Sequence, residues 1–301
     1  MCRVTSVMPG PAGYARGVRI HLLQVAYGDD EPVTDRVKRV ADLVAAQQGA
    51  DLVVLPELWA PGGFSYRTWA ERAETITGPT ITAIGEAAAS IGATVHAGSI
   101  IETVPDDDPR SELPGARGET GRGLWNTSVL IGPDGAPPAT YRKIHRFGFG
   151  QGEPTLLEAG EEVVTVDLPA TTLGLATCYD LRFPELFRSL LDAGAKIVVV
   201  PAAWPQLRVE AWTLLGRARA IENQTVIVQC NTAGTHAGVT MGGLSQVVDA
   251  RGTVLGQAAA DRQDVLIVDV DLEDVDRWRH DFPVLADRRL GRGEQSTADS
   301  R

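Results

Sequence analysis

Along the chain, short unbroken apolar runs alternate with stretches in which apolar residues return every three or four positions. This is the pattern of buried strands separated by amphipathic helices. Residues 18–25 predict the first strand. Asp30, Glu31 and Pro32 then read as cap, first-turn acid and N1 proline of a helix. Its apolar face is Val33, Val37, Val40 and Val44, and Gly49 closes it. Residues 51–55 are an apolar run stopped by Pro56, which cannot donate to a strand ladder, so Glu57 arrives at the strand's C-terminal end. A second helix is predicted over 79–92, with Ile81, Ile84 and Ile91 on one face. Strands over 94–102 and 124–131 flank a polar loop, 105–123, expected to be mobile. Pro133-Asp134-Gly135 turns the chain back into a strand carrying Tyr141-Arg142-Lys143-Ile144-His145.

The middle of the chain holds Leu173-Gly174-Leu175-Ala176-Thr177-Cys178-Tyr179-Asp180-Leu181-Arg182-Phe183-Pro184-Glu185. An apolar strand runs into Cys178, and Pro184 stands where a new helix, 185–193, begins. Strand 196–200 ends in Pro201-Ala202-Ala203-Trp204-Pro205, the same proline-stopped arrangement that delivers Glu57. Helix 208–223 is expected to pack through Leu214, Leu215, Ala218 and Ile221. Strands over 225–230, 244–249 and 265–270 follow, with a hairpin turn at Asp249-Ala250-Arg251-Gly252. Residues 1–17 lack periodicity and are expected to form a mobile arm, and 291–301 a disordered tail. The remainder, 18–290, predicts one α/β domain with mixed sheets.

Composition adds mainly exclusions. The chain is 44% hydrophobic and 22% charged, with a net charge of −11, which argues against nucleic-acid or anionic-membrane binding by bulk electrostatics. No apolar run approaches the roughly 20 residues of a membrane span. The three cysteines, Cys2, Cys178 and Cys230, are too scattered for a disulfide framework. No CxxC, HxH or HxxxH pair occurs, so no metal is expected. The reading is a soluble, reduced, cytoplasmic protein without a cofactor.

Three residues carry candidate chemistry. Cys178 sits at a strand–helix junction, where turn N–H groups can face a developing oxyanion; its alternative is one more buried thiol. Glu57 is surrounded by Leu58, Trp59 and Phe64, a setting expected to raise its pKa as a general base or acid requires; its alternative is a solvated loop residue. Lys143 precedes the glycine-rich loop Phe147-Gly148-Phe149-Gly150-Gln151-Gly152-Glu153, and its alternative is a surface lysine. That loop has no phosphate-cradle context, and no GxSxG is present. A carboxylate that accepts a thiol proton and an ammonium that stabilises an oxyanion form a coherent set with a cysteine. Cys230, inside an apolar strand, reads as core.

The segments Leu55-Pro56-Glu57-Leu58-Trp59, Tyr141-Arg142-Lys143-Ile144-His145, Cys178 through Glu185, and Ala218-Arg219-Ala220-Ile221-Glu222-Asn223-Gln224 resemble, in order, the nitrilase superfamily of carbon–nitrogen hydrolases. The resemblance spans about residues 18–289. It implies a four-layer α-β-β-α sandwich that pairs into a homodimer or larger homo-oligomer. It also implies Glu57 as general base, Lys143 as oxyanion-stabilising cation and Cys178 as nucleophile. A second active-site glutamate is implied after the lysine motif, with Glu153 the better match and Glu158 the competitor. The Cys-Tyr-Asp-Leu-Arg-Phe-Pro run is more similar to the ω-amidase-type branch than to true nitrilases, whose cysteine is typically followed by tryptophan and glutamate.

The expected substrate is a small linear primary amide with a carboxylate or other polar group at its far end. Arg182 could pair with that carboxylate and Trp204 could wall the pocket. Their alternatives are an ion pair with Asp180 or Glu185 and ordinary core packing. Tyr179 would offer its backbone N–H to the oxyanion; Phe64 and Tyr66 are further lining candidates. Nitrile or N-carbamoyl hydrolysis would use the same triad, and a catalytically silent dimeric scaffold would keep the fold alone.

Overall fold

The computed structural model describes residues 3–5, 17–105, 108, 111, 117–137 and 139–290. Much of the 105–123 loop and the whole 291–301 tail therefore lie outside the described residues. Of the expected N-terminal arm, Arg3–Thr5 form an edge strand, β1, and residues 6–16 lie outside.

Two sheets stack face to face. The first has six strands in the order β15–β2–β3–β4–β5–β6. Its members are β2 (Val18–Gln24), β3 (Leu52–Val54), β4 (Thr94–Thr103), β5 (Leu124–Ile131), β6 (Ala139–Arg142) and β15 (Asp264–Val270). Strands β2, β3 and β4 are parallel, joined through α1 (Val33–Ala45) and α2 (Pro79–Ile91), while antiparallel strands extend both edges. The second sheet runs β1–β7–β8–β9–β10–β13–β14. It comprises β1, β7 (Val164–Leu168), β8 (Thr171–Leu175), β9 (Ile197–Ala202), β10 (Val226–Asn231), β13 (Gln246–Val248) and β14 (Val254–Gln257). Its parallel centre, β8–β9–β10, is joined through α4 (Pro184–Asp192) and α5 (Val209–Asn223). A small ribbon, β11 (Thr235–His236) and β12 (Val239–Thr240), a short helix α3 (Glu153–Leu156) and a late helix α6 (Leu272–Asp281) complete the chain.

The unbroken apolar runs are explained by burial on both faces. Leu52 and Val54 face the second sheet, in one cluster with Leu173, Leu175, Val198 and Val200. Val53 faces the other way, in a cluster with Val40, Val44, Ile81 and Ile84 of α1 and α2. Helices α4 and α5 cover the far side of the second sheet through Leu186, Phe187, Leu190 and Trp212. The architecture is the expected α-β-β-α sandwich.

Two local expectations fail for physical reasons. Pro32 is the residue before the first helical turn, not its first residue, and Glu31 instead pairs with Arg36 and Arg39. On α5 the buried face is Trp212, Gly216, Arg219, Ala220 and Asn223, leaving Leu214 66% and Ile221 51% exposed. Only glycine fits at the inward-facing position 216, because a Cβ there would lie 1.6 Å from Gln229 Oε1. Arg219 is tolerated inside because its Nε donates to the Leu181 carbonyl at 3.0 Å.

Two buried histidines make stability depend on pH. Burial holds His96 down at about 4; burial and the Arg36 charge hold His236 at about 4, against a smaller opposing pull from Asp29. Both folded values lie below the ordinary 6.5, so their contribution is intact above that pH and is lost as pH falls toward 4. Urea unfolding between about pH 7.5 and about pH 5 is expected to lose roughly 2 kcal/mol per histidine, and His96→Gln should flatten the decline. An unchanged slope in that variant would contradict the assignment.

Candidate active site

Glu57 follows β3 at the rim of the first sheet and is 3% exposed. The turn that carries it depends on a close backbone approach: Gly98 has φ +72°, and a Cβ there would lie 1.9 Å from the Pro56 carbonyl. The next residue, Leu58, is itself left-handed (φ +46°), and its N–H donates to Ser99 Oγ at 3.1 Å. Lys143 lies just past β6, with its N–H donating to the Asn126 carbonyl at 2.9 Å. Its Nζ reaches Glu57 Oε1 at 2.7 Å and the two oxygens of Glu153 at 3.0 and 2.9 Å. Glu153 opens α3 and is fully surrounded; Phe147 N–H donates to its Oε2. Glu158 is elsewhere, receiving the N–H groups of Thr120 and Arg122 at 3.0 and 2.7 Å. Of the two candidates, Glu153 is the one beside Lys143.

Cys178 opens a tight helical turn, Cys178–Arg182, beyond the end of β8. Its φ of +47° is a strained value for a side-chain-bearing residue. The turn is held by Asp180, which is fully buried. Asp180 accepts Thr177 N–H at 2.9 Å, Tyr141 O–H at 2.7 Å and His145 N–H at 3.0 Å, and its Oδ1 lies 2.7 Å from His145 Nδ1. Tyr141 and His145 flank Lys143 in sequence, so one carboxylate clamps the cysteine turn to the lysine strand. The buried thiol is close enough to Glu57 to lower its carboxyl, and Glu57 Oε2 accepts Ala203 N–H at 2.9 Å from the end of β9.

The electrostatics follow from this packing. Burial pushes Glu57 up, but the charge and hydrogen bond of Lys143, with the Cys178 and Ala203 donors, outweigh it and hold the carboxyl below its ordinary value. The expected upward shift is therefore reversed. Burial, with the Glu57 charge, raises Glu153 despite Lys143. Lys143 is raised well above the ordinary lysine value, since the two carboxylates overcome its burial. Burial and the Glu57 charge raise the Cys178 thiol well above the ordinary range, so the proton rests on sulfur.

Asn126, on β5, was not apparent as a site residue. Its Nδ2 donates to Glu57 Oε1 at 2.8 Å and to Glu153 Oε1 at 2.7 Å. The available signal was an asparagine at the start of a buried strand, where that residue type is disfavoured. The flanking candidates form an aromatic wall. Phe147 contacts Tyr179 at 5.3 Å and Phe64 at 6.4 Å between ring centroids, and Tyr66 is raised to about 12 by burial and the nearby Glu153 and Glu57 charges. Trp204 is buried against Trp212, and the Arg182 guanidinium lies over its ring at 4.9 Å. Among the described residues Arg182 pairs with neither Asp180 nor Glu185. No helix among the described residues is long and apolar enough to cross a membrane, and none of their His, Cys, Asp and Glu side chains group as a metal site.

The carbon–nitrogen hydrolase family profile matches residues 17–280. The chain belongs to the carbon–nitrogen hydrolase family. This hydrolase is 45% identical over 271 residues to a 2-oxoglutaramate amidase of Paenarthrobacter nicotinovorans, covering 89% of this chain and 88% of that one. Among solved structures, a CN-hydrolase superfamily protein from Xanthomonas campestris, with an arsenic adduct in its active site, superposes with a TM-score of 0.78 at 29% identity. The match covers 91% of this hydrolase and 97% of that chain. A variant amidase from Nesterenkonia sp. AN1, carrying the acetamide moiety of fluoroacetamide covalently on its active-site cysteine, superposes with a TM-score of 0.73 at 25% identity. That match covers 93% and 97% of the two chains.

Proposed function

We propose that this hydrolase is an amidase that converts a small linear primary amide, carboxylated at its far end, to the acid and ammonia through a cysteine thioester. The observation that carries the reading is a buried Glu57 carboxylate kept ionised by Lys143 at 2.7 Å, with the buried Cys178 thiol close enough to act on it. Glu57 takes the thiol proton as sulfur attacks the amide carbon. The carbonyl electrons move onto oxygen, which rests against the Lys143 ammonium and the Tyr179 backbone N–H. The intermediate collapses, the C–N bond breaks, and Glu57 returns its proton to the leaving nitrogen, releasing ammonia. Water then attacks the thioester with Glu57 as base, giving the carboxylic acid and restoring the thiol. Glu153 keeps Lys143 charged and pointed at Glu57.

The similarity to an amidase of 2-oxoglutaramate supports an ω-amide of a short acid. Arg182, laid on Trp204 with no carboxylate partner among the described residues, supports the charged far end. Ammonia release should be fastest on short ω-amides of dicarboxylic and keto acids, compared with matched nitriles and N-carbamoyl amino acids. Faster turnover of a nitrile or carbamoyl compound than of every amide would overturn the substrate choice and leave the cysteine chemistry standing.

We also propose a homodimer. Leu207, Leu214 and Ile221 leave an apolar stripe exposed at and along α5, which a second copy would cover. Sedimentation at micromolar concentration should give the dimer mass, and a stable monomer would contradict it.

A further inference from the structure

Arg208 lies between a single helical turn, Gln206–Arg208, and the start of α5. It is held at two points. Its carbonyl accepts the Trp204 indole N–H at 2.7 Å, and its guanidinium lies over the Phe147 ring at 5.2 Å. Phe147 donates its own N–H to Glu153 and presses its ring on Tyr179, so Arg208 is one residue away from the reacting groups. Arg182 lies over the same Trp204 that binds the Arg208 carbonyl. The two arginines thus share one indole as their footing, at the end of β9 that also delivers Ala203 to Glu57.

Among the six arginines that lie over an aromatic ring in the described residues, this pair stands apart. The chain has 39 acidic residues against 28 lysines and arginines, so carboxylates are in excess. The other four ring-stacked arginines, Arg36, Arg142, Arg219 and Arg251, each also find one. Arg182 and Arg208 have no carboxylate within 4.0 Å among the described residues. Stacking on an aromatic face fixes a guanidinium plane and leaves its N–H edges able to fork a carboxylate. Two such groups beside a nucleophile, both without an internal counter-ion, suit an anion that arrives with the substrate.

We propose that Arg208, together with Arg182, binds the carboxylate at the far end of the amide substrate and makes Arg208 a specificity-determining residue. The proposal rests on the amide reading above and names its recognition element. Hydrogen bonds to a charged group contribute about 1.5–3 kcal/mol, so losing the Arg208 fork should cost about 10- to 100-fold in discrimination.

Two measurements test it. The first compares kcat/KM on the monoamide of glutaric acid with that on uncharged pentanamide, by ammonia release, in wild type, Arg208→Gln and Arg208→Lys. The preference for the carboxylated amide should fall by about 10- to 100-fold in Arg208→Gln, mainly through KM, and by less in Arg208→Lys. An equal loss on both amides, or no loss on either, would overturn the proposal. The second measures glutarate binding to the Cys178→Ala protein by calorimetry, where no turnover is needed. Adding Arg208→Gln should weaken it at least about tenfold. Unchanged glutarate affinity overturns the arginine site whatever the enzyme hydrolyses. If no amide is hydrolysed but glutarate binding still depends on Arg208, the reaction reading falls and the arginine site stands.

Discussion

Replacing Cys178 with alanine is expected to leave a folded protein whose turnover is at or below about one ten-thousandth of wild type, the scale seen when a hydrolase loses its nucleophile. The fold should tolerate the change because alanine adopts the same left-handed backbone at similar cost, and the turn is held by Asp180 rather than by the thiol. Glu57 keeps Lys143, Asn126 and the Ala203 N–H. Cys230→Ser and Cys2→Ala should keep turnover. Cys230 is packed between the sheets, with its thiol raised by burial, and serine there should cost stability without touching the reaction. Ammonia release by the three purified variants decides it; wild-type rates from Cys178→Ala would remove the nucleophile role.

The second large effect concerns the buried charges. Glu57→Gln keeps the shape but removes the proton acceptor, and turnover should fall by about 10²- to 10⁴-fold. Lys143→Ala should lose about 3–4 kcal/mol of oxyanion stabilisation. It also removes the counter-charge of two buried carboxylates, Glu57 and Glu153, and breaking a buried pair in this way costs about 3–5 kcal/mol. Without the ammonium both carboxyl groups should bind protons more tightly in the folded state than in the unfolded one. Their folded pKa values then lie above the unfolded ones, so stability falls as pH rises. Lys143→Ala should therefore lose more stability relative to wild type at about pH 8 than at about pH 5.5, the histidine effect being common to both proteins. Urea melts at the two pH values separate lost chemistry from lost folding. Near-wild-type turnover in either variant would show that its assigned role is wrong.

The strand and helix periods made the sandwich readable because both sheets are buried on both faces; Pro56 marks where Glu57 emerges, whereas β9 continues through Pro201 to Ala202 before delivering Ala203. Helix α5 was misread because its inward face mixes Trp212 and Ala220 with a glycine and hydrogen-bonded polar residues, and periodicity counts only apolar ones. Cys178, Glu57 and Lys143 could be singled out by position and resemblance. The roles of Asn126 and Asp180 could not, because their partners lie on distant segments that meet only in three dimensions. The direction of the Glu57 shift was missed for the same reason. Burial is legible locally, but how far Lys143, 86 residues away, outweighs it depends on the 2.7 Å contact seen only in the fold.

Cys230 sits on β10 of the seven-stranded sheet, yet its sulfur lies 3.5 Å from the Leu23 carbonyl on β2 and 3.3 Å from the Val54 carbonyl on β3. A thiol reagent can meet it only when the two sheets part, so its alkylation serves as a clock for that opening. The reacting groups straddle the same seam, with Glu57 and Lys143 on one side and Cys178 and Ala203 on the other. In a Cys2→Ser background under rising urea, exposure of Cys230 and extinction of catalysis should therefore track a single event.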